Sequence, residues 1–103
     1  MILDRAHFDM MTAGDRALQL EVLGLFRAQV DGWQAAFRAG QPWRDAVHTL
    51  KGSARGIGFS ALALACEAAE EAAENETAAV LAGVRSALDE ALTELEQFAA
   101  AAA

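Results

Sequence analysis

Apolar residues recur at helical spacing along most of the chain, and this periodicity restricts the fold more than any other feature. After Asp15 the apolar positions that keep a helical period are Leu18, Val22, Leu25, Phe26, Val30, Trp33 and Phe37. No segment alternates apolar and polar residues for long enough to predict a β-strand. The sequence therefore predicts an all-α fold in which these seven side chains face the core.

Capping and helix-breaking residues divide the chain into five predicted helices. Asp4 and Asp15 are the expected N-caps of a short first helix, which ends near Ala13, and of a long second helix. The later boundaries are predicted at Gly40, Pro42, Gly56, Gly58, Ser60, Asn75 and Thr77. Short connections between long amphipathic helices favour an antiparallel four-helix bundle with a short additional N-terminal helix, in a single domain over residues 1–103.

Composition excludes several classes of protein. A single cysteine cannot form an internal disulfide, so a reducing compartment is expected. No apolar run reaches the length of a membrane span and no signal-like segment opens the chain, which predicts a cytoplasmic protein without membrane contact. The net charge of −7 argues against nucleic-acid binding. With two distant histidines and no nucleotide-binding motif, we expect neither a metal site nor ATP-dependent kinase activity.

Charge is distributed unevenly along the chain. Residues 38–55 contain four bases and one acid, a local balance of +3, whereas residues 56–103 contain nine acids and one base. The bases of the first region are Arg38, Arg44, Lys51 and Arg55. For the acidic region the simplest interpretation is a solvated helix surface.

The positive region surrounds His48. Its helix has a core-facing stripe of apolar residues, and His48 lies about 100° around from Val47, at the edge of that stripe. Residues at helical spacing from His48 share its face, and these are Arg44, Lys51, Gly52 and Arg55. An imidazole among three cations is poorly suited to a core and well suited to carry a phosphoryl group.

The neighbours of His48 each have a structural and a functional interpretation. Gly52 either receives a closely packed helix or leaves the approach to the imidazole open, and the second interpretation is favoured. Lys51 and Arg55 either solvate the helix or offset the charge of a phosphoryl group. Cys66 is expected in the core, and His7 is expected to be a surface or capping histidine.

The run from His48 to Glu70, HTLKGSARGIGFSALALACEAAE, resembles the signature of histidine-containing phosphotransfer (HPt) domains of multistep two-component phosphorelays. The family pattern is His-x-Leu-Lys-Gly-Ser-Ala, then two residues, an aliphatic residue, a glycine and a small or aromatic residue. A helix with leucines, often a Cys, and a Glu near its end follows. The N-terminal run ILDRAHFDMMTAGDRALQLEVLGLF is similar to the opening helices of the same family. The resemblance therefore extends over nearly the whole chain.

The resemblance implies a phosphoryl shuttle. His48 would accept phosphate from the aspartate of one response-regulator receiver domain and pass it to another, with Lys51 stabilising the phosphoryl charge and Gly52 giving access. Arg44 and Arg55 would help to bind the receiver, which would also supply Mg²⁺, since no cofactor of its own is expected. A hybrid sensor kinase is a further candidate partner, and the chain is expected to act as a monomer. The alternative is a non-catalytic module that binds and sequesters receivers.

Overall fold

The computed structural model describes residues 2–37 and 42–102, so Arg38 and the predicted helix end at Gly40 lie outside the described residues. Five α-helices follow one another: α1 (Arg5–Met11), α2 (Arg16–Ala36), α3 (Arg44–Ile57), α4 (Ser60–Glu71) and α5 (Thr77–Ala102). A 3₁₀ turn, Glu74–Glu76, precedes α5, and the described residues contain no strand. Helix α3 packs most extensively on α4, and α2 and α5 complete the bundle. The predicted all-α four-helix bundle with a short N-terminal helix is confirmed.

The helix starts are partly those that the sequence predicts. The Asp4 and Asp15 side chains accept hydrogen bonds from backbone N–H groups in the first turns of α1 and α2, as expected of N-caps. Helix α1 ends at Met11, before the predicted end at Ala13, because Ala13 already has a positive φ of 54°. The prediction of a Ser60 N-cap is wrong, because the fully buried Phe59 occupies that position and makes no side-chain cap.

Aromatic side chains from α1, α2, α5 and the α3–α4 connection organise the core. The Phe26 ring lies 5.2 Å from that of Trp33 and 5.4 Å from that of Phe59, measured between centroids. At the end of the bundle where α1 packs, the Phe8 and Phe98 rings meet edge to face at 5.8 Å. These contacts fix how α1, α2 and α5 lie around α3 and α4.

The prediction that Leu18 and Leu25 face the core is wrong. Their exposed fractions are 40 % and 62 %, whereas Leu23 on the same helix is buried. The inward face of α2 is rotated away from Leu18 and Leu25, and its buried residues are Gln19, Leu23, Phe26, Val30 and Trp33. The buried polar residue of α2, Gln19, fixes this rotation by donating hydrogen bonds to Asp9 and to Thr12.

Helix α3 ends in a glycine cap that also receives α1. Gly58 has a φ of 111°, in the left-handed region, and an added Cβ would lie 3.1 Å from the backbone oxygen of Asp4. The Asp4 N–H donates to the Gly58 carbonyl at 2.8 Å. The start of α1 therefore packs against the carboxyl end of α3, the helix that carries His48.

None of the helices in the described ranges is both long and apolar enough to cross a membrane.

Candidate functional site

His48 projects from α3 into solvent. Its side chain is 72 % exposed, whereas the preceding residue, Val47, is completely buried in the core. Helix geometry explains the contrast, since consecutive residues point about 100° apart. The buried stripe of α3, formed by Val47, Leu50, Ala54 and Ile57, anchors the helix and leaves the imidazole accessible.

A carboxylate from α4 contacts the imidazole. Glu70 Oε2 lies 3.3 Å from His48 Nδ1. Because an ionised carboxylate only accepts hydrogen bonds, Nδ1 must carry the proton in this contact. The neutral ring then has its lone pair on Nε2, and no residue within 2–37 or 42–102 hydrogen-bonds to that atom. Glu70 thus selects the tautomer in which the outward nitrogen is a nucleophile.

The same carboxylate holds Lys51. Lys51 Nζ lies 2.7 Å from Glu70 Oε1, so the two oxygens of Glu70 serve the ammonium and the imidazole separately. The hydrogen bond from Lys51 is the main cause that lowers the pKa of the Glu70 carboxyl from its usual range. Only 17 % of the Lys51 side chain is exposed. Lys51 is therefore part of a compact ion pair beside His48.

The two arginines of this face also have partners on α4. Arg55 pairs with Glu67 at 3.1 Å, and Arg44 Nη1 donates to the backbone carbonyl of Glu70 at 3.3 Å. The Arg44 guanidinium also lies 4.5 Å from the centre of the Trp43 ring. The structure thus brings the predicted cations together around His48, but Lys51 and Arg55 are paired with carboxylates and Arg44 with a backbone carbonyl.

Sequence reasoning missed Glu67 and Glu70. Both belong to the acidic half of the chain, and its interpretation as a solvated surface is wrong for these two residues. A signal was available for Glu70, because the segment that resembles the HPt signature ends on it. Nothing in the sequence alone, however, indicates that the carboxylate contacts the imidazole 22 residues earlier.

Two glycines leave open space along α3 beyond His48. Gly52 is exposed, and a Cβ added to it would meet no atom within 4 Å. The same holds for Gly56, one turn further along. Close packing of another helix therefore does not explain Gly52, and the approach to the imidazole along α3 is open.

An apolar groove runs beside this face, between α2 and α3, with a volume of about 260 Å³. The residues that line this apolar groove are Met11, Val22, Leu25, Phe26, Gln29, Ser53, Gly56 and Ile57. Leu25 and Met11 expose 62 % and 48 % of their surface, which is high for large apolar side chains. Gly56 lies about two turns beyond His48, so the groove is further along the helix that carries the imidazole.

The remaining candidates serve the fold. Cys66 is buried, and burial raises the pKa of its thiol to about 11, with the Glu70 carboxylate adding to the effect and Lys51 opposing it. His7 does not contact His48 and instead hydrogen-bonds to the carbonyl of Gly56. Within the described ranges, no three His, Cys, Asp or Glu side chains are grouped so that they could hold a metal ion.

Comparison with known proteins agrees with this geometry. A family model described as the Hpt domain matches residues 19–98. The chain is similar to the crystal structure of the histidine phosphotransferase ShpA from Caulobacter crescentus, with 40 % sequence identity and a TM-score of 0.82. That similarity covers 96 % of this chain and 91 % of the other. Among curated proteins, no sequence matches this chain.

The contact between Glu70 and His48 predicts the tautomer of the imidazole. In the parent protein at pH 8, ring ¹⁵N chemical shifts of His48 should report a protonated Nδ1 and an unprotonated Nε2. Glu70→Ala removes the acceptor, so the proton should move toward Nε2. Glu71→Ala is the matched control, because it removes an exposed carboxylate of α4 that does not hydrogen-bond to His48 and should keep the parent tautomer. Unchanged ¹⁵N shifts in Glu70→Ala would show that this contact does not set the tautomer.

Proposed function

The chain belongs to the Hpt domain family, and from this membership we propose that His48 shuttles a phosphoryl group between the aspartates of two response-regulator receiver domains. The observation that carries the proposal is the 72 % exposed imidazole whose Nδ1 is held by Glu70. That arrangement offers a nucleophilic nitrogen to a partner and fixes which ring nitrogen of the neutral imidazole carries the proton. Phosphoryl transfer needs little more than such positioning and charge neutralisation.

The tautomer makes the transfer reversible without moving a proton. In the forward step the Nε2 lone pair attacks phosphorus, the bond from phosphorus to the aspartyl oxygen breaks, and the carboxylate leaves with the electron pair. The ring keeps its Nδ1 proton and becomes a cation, which the Glu70 carboxylate stabilises. In the return step a second receiver aspartate attacks phosphorus, and Nε2 recovers its lone pair as neutral imidazole. Glu70 is thus a positioning residue for both directions.

Lys51 is the cation available to the phosphoryl group. Its Nζ lies on the Glu70 side of the imidazole, 2.7 Å from Oε1. Because Lys51 is three residues after His48, a turn of its flexible side chain brings the ammonium toward a phosphoryl group on the imidazole. We propose that Lys51 divides its charge between Glu70 and the phosphoryl group, while the receiver supplies Mg²⁺.

The receiver is proposed to cover His48 and the apolar groove together. Removing the exposed side chains of Leu25 and Met11 from water lowers the free energy, and this favours docking of a complementary apolar surface. Arg44 and Arg55 lie at the border of this area and contribute mainly to the rate of encounter. We therefore propose that a receiver domain binds the His48 face and that the chain acts as a monomer in the cytoplasm.

The alternative is a module that binds receivers without accepting phosphate. An imidazole prepared as a nucleophile has no purpose in such a module, whereas the carrier role explains it. We also propose that the chain has no ATP-dependent activity of its own, so that phosphate enters and leaves through receiver aspartates.

His48 is predicted to be the single phosphorylation site. Incubation of the parent with a phosphorylated receiver should give one acid-labile phosphate per chain, and His48→Gln should reduce labelling to background, because the nucleophile is gone. Circular dichroism checks that the variant is folded, as expected for an exposed position. A folded His48→Gln protein that is still labelled would contradict the assignment, and a parent that binds receivers without labelling would favour the sequestering module.

Gly52 is predicted to serve access. Because a side chain meets no atom there, Gly52→Gln should stabilise α3 by about 0.5 kcal/mol. It should slow phosphotransfer about tenfold to a hundredfold, since it obstructs the approach to Nε2. The matched control is Gly83→Gln on α5, an equally open helical position that should gain stability without losing transfer. Thermal melts and transfer rates check both variants, and normal transfer by Gly52→Gln would refute the prediction.

Charge reversal on the His48 face is predicted to act in two ways. Lys51→Glu should slow transfer about tenfold or more, because it places a carboxylate against Glu70 and removes the cation nearest the phosphoryl group. Arg55→Glu should slow encounter by a smaller factor, which decreases as salt screens the charge. Glu96→Lys, on the exposed face of α5, is the control and should have little effect. Transfer rates against ionic strength test this, and an equal loss from Glu96→Lys would place docking elsewhere.

A further inference from the structure

The second histidine of the chain contacts the helix that carries His48. His7 Nε2 lies 3.0 Å from the backbone oxygen of Gly56. Since a carbonyl only accepts, Nε2 must donate the hydrogen. Gly56 is in the last turn of α3, where carbonyl groups have no partner within the helix, so His7 satisfies one of them.

This hydrogen bond is made at the end of the apolar groove. Gly56 lines the groove from α3, and Met11 lines it from α1. His7 and Met11 are four residues apart on α1, so they lie on one face of that helix, and this face is turned toward α3. The His7 hydrogen bond is therefore one of the contacts that hold this face of α1, and Met11 with it, against α3.

We infer that His7 is a positioning residue for receiver docking, acting through Met11. It holds α1 against the carboxyl end of α3, so that the Met11 side chain forms the end wall of the apolar groove. The inference rests on the proposed docking of a receiver in this groove. It adds that affinity for the receiver depends on a histidine that never contacts the transferred phosphate.

A double-mutant cycle tests the coupling between the two residues. The probe is the isolated, phosphorylated receiver domain that transfers fastest to the parent, and the readouts are KM and kcat of transfer. His7→Ala should raise KM about three- to tenfold, the factor expected from one lost hydrogen bond, and leave kcat unchanged. Met11→Ala should also raise KM. In the Met11→Ala background, His7→Ala should have no further effect.

Two control variants separate positioning from general destabilisation. His7→Gln should retain a KM near that of the parent, because its amide Nε2 is the same number of bonds from the backbone and can donate to the Gly56 carbonyl. Met10→Ala should leave KM unchanged, since Met10 is 74 % exposed and does not line the groove. The inference is overturned if His7→Gln is as impaired as His7→Ala, or if the two effects on KM are additive.

A second measurement does not depend on the receiver. The chain has three methionines, so the methyl NMR signal of Met11 can be assigned by substitution. His7→Ala should shift this signal and increase the mobility of the methyl group, whereas His7→Gln should not. An unchanged Met11 signal in His7→Ala overturns the inference even if transfer is impaired. If the parent itself accepts no phosphate while Met11 responds, the proposed function fails and the positioning role of His7 stands.

Discussion

The packing of α3 against α4 is the constraint on which the geometry around His48 depends. Small side chains on both helices, among them Ala54, Cys66 and Ala69, are fully buried and let the two helices lie close together. The register of this packing places Glu70 beside His48 and Glu67 beside Arg55. The core contact between two hydrophobic faces therefore determines which nitrogen of an exposed imidazole carries its proton.

One carboxylate performs two tasks at this site. By accepting a hydrogen bond from His48 Nδ1, Glu70 leaves the lone pair on the outward nitrogen, Nε2. Its pairing with Lys51 lowers the pKa of the Glu70 carboxyl, so that the carboxylate stays ionised at lower pH than usual. The two tasks support each other, because only an ionised carboxylate is restricted to accepting the imidazole proton. As a consequence, the ammonium nearest the imidazole, that of Lys51, is already paired with Glu70. A phosphoryl group on Nε2 would compete with Glu70 for Lys51, which links the charge state of His48 to the α3–α4 ion pairs.

The surface around His48 is more apolar, and less positive, than the chain's charge distribution indicates. The ammonium of Lys51 and the guanidinium of Arg55 meet carboxylates from α4, while Leu25 and Met11 are left in water beside α3. A docking partner therefore meets an apolar groove next to the imidazole, with charge at its border. This division agrees with the general pattern in which apolar contact provides affinity and border charges adjust encounter.

The sequence by itself determined the all-α architecture, the caps at Asp4 and Asp15 and the exposed position of His48. These features follow from local rules: helical periodicity, a side chain that accepts from its own first turn, and the 100° step from Val47. The open space above Gly52 also follows from the sequence, because a missing side chain is visible there. The resemblance to HPt domains likewise depends on a contiguous run of residues.

Only the tertiary structure decided which carboxylates meet the cations, and which leucines of α2 remain exposed. The contact of Glu70 with His48 and that of His7 with Gly56 join residues 22 and 49 positions apart, so they depend on the register between helices. Likewise, Leu18 and Leu25 keep the period of the predicted stripe and are exposed, whereas Leu23, which that stripe omits, is buried. Periodicity specifies the apolar side of a helix, but the width of the buried face is decided by the helices packed against it.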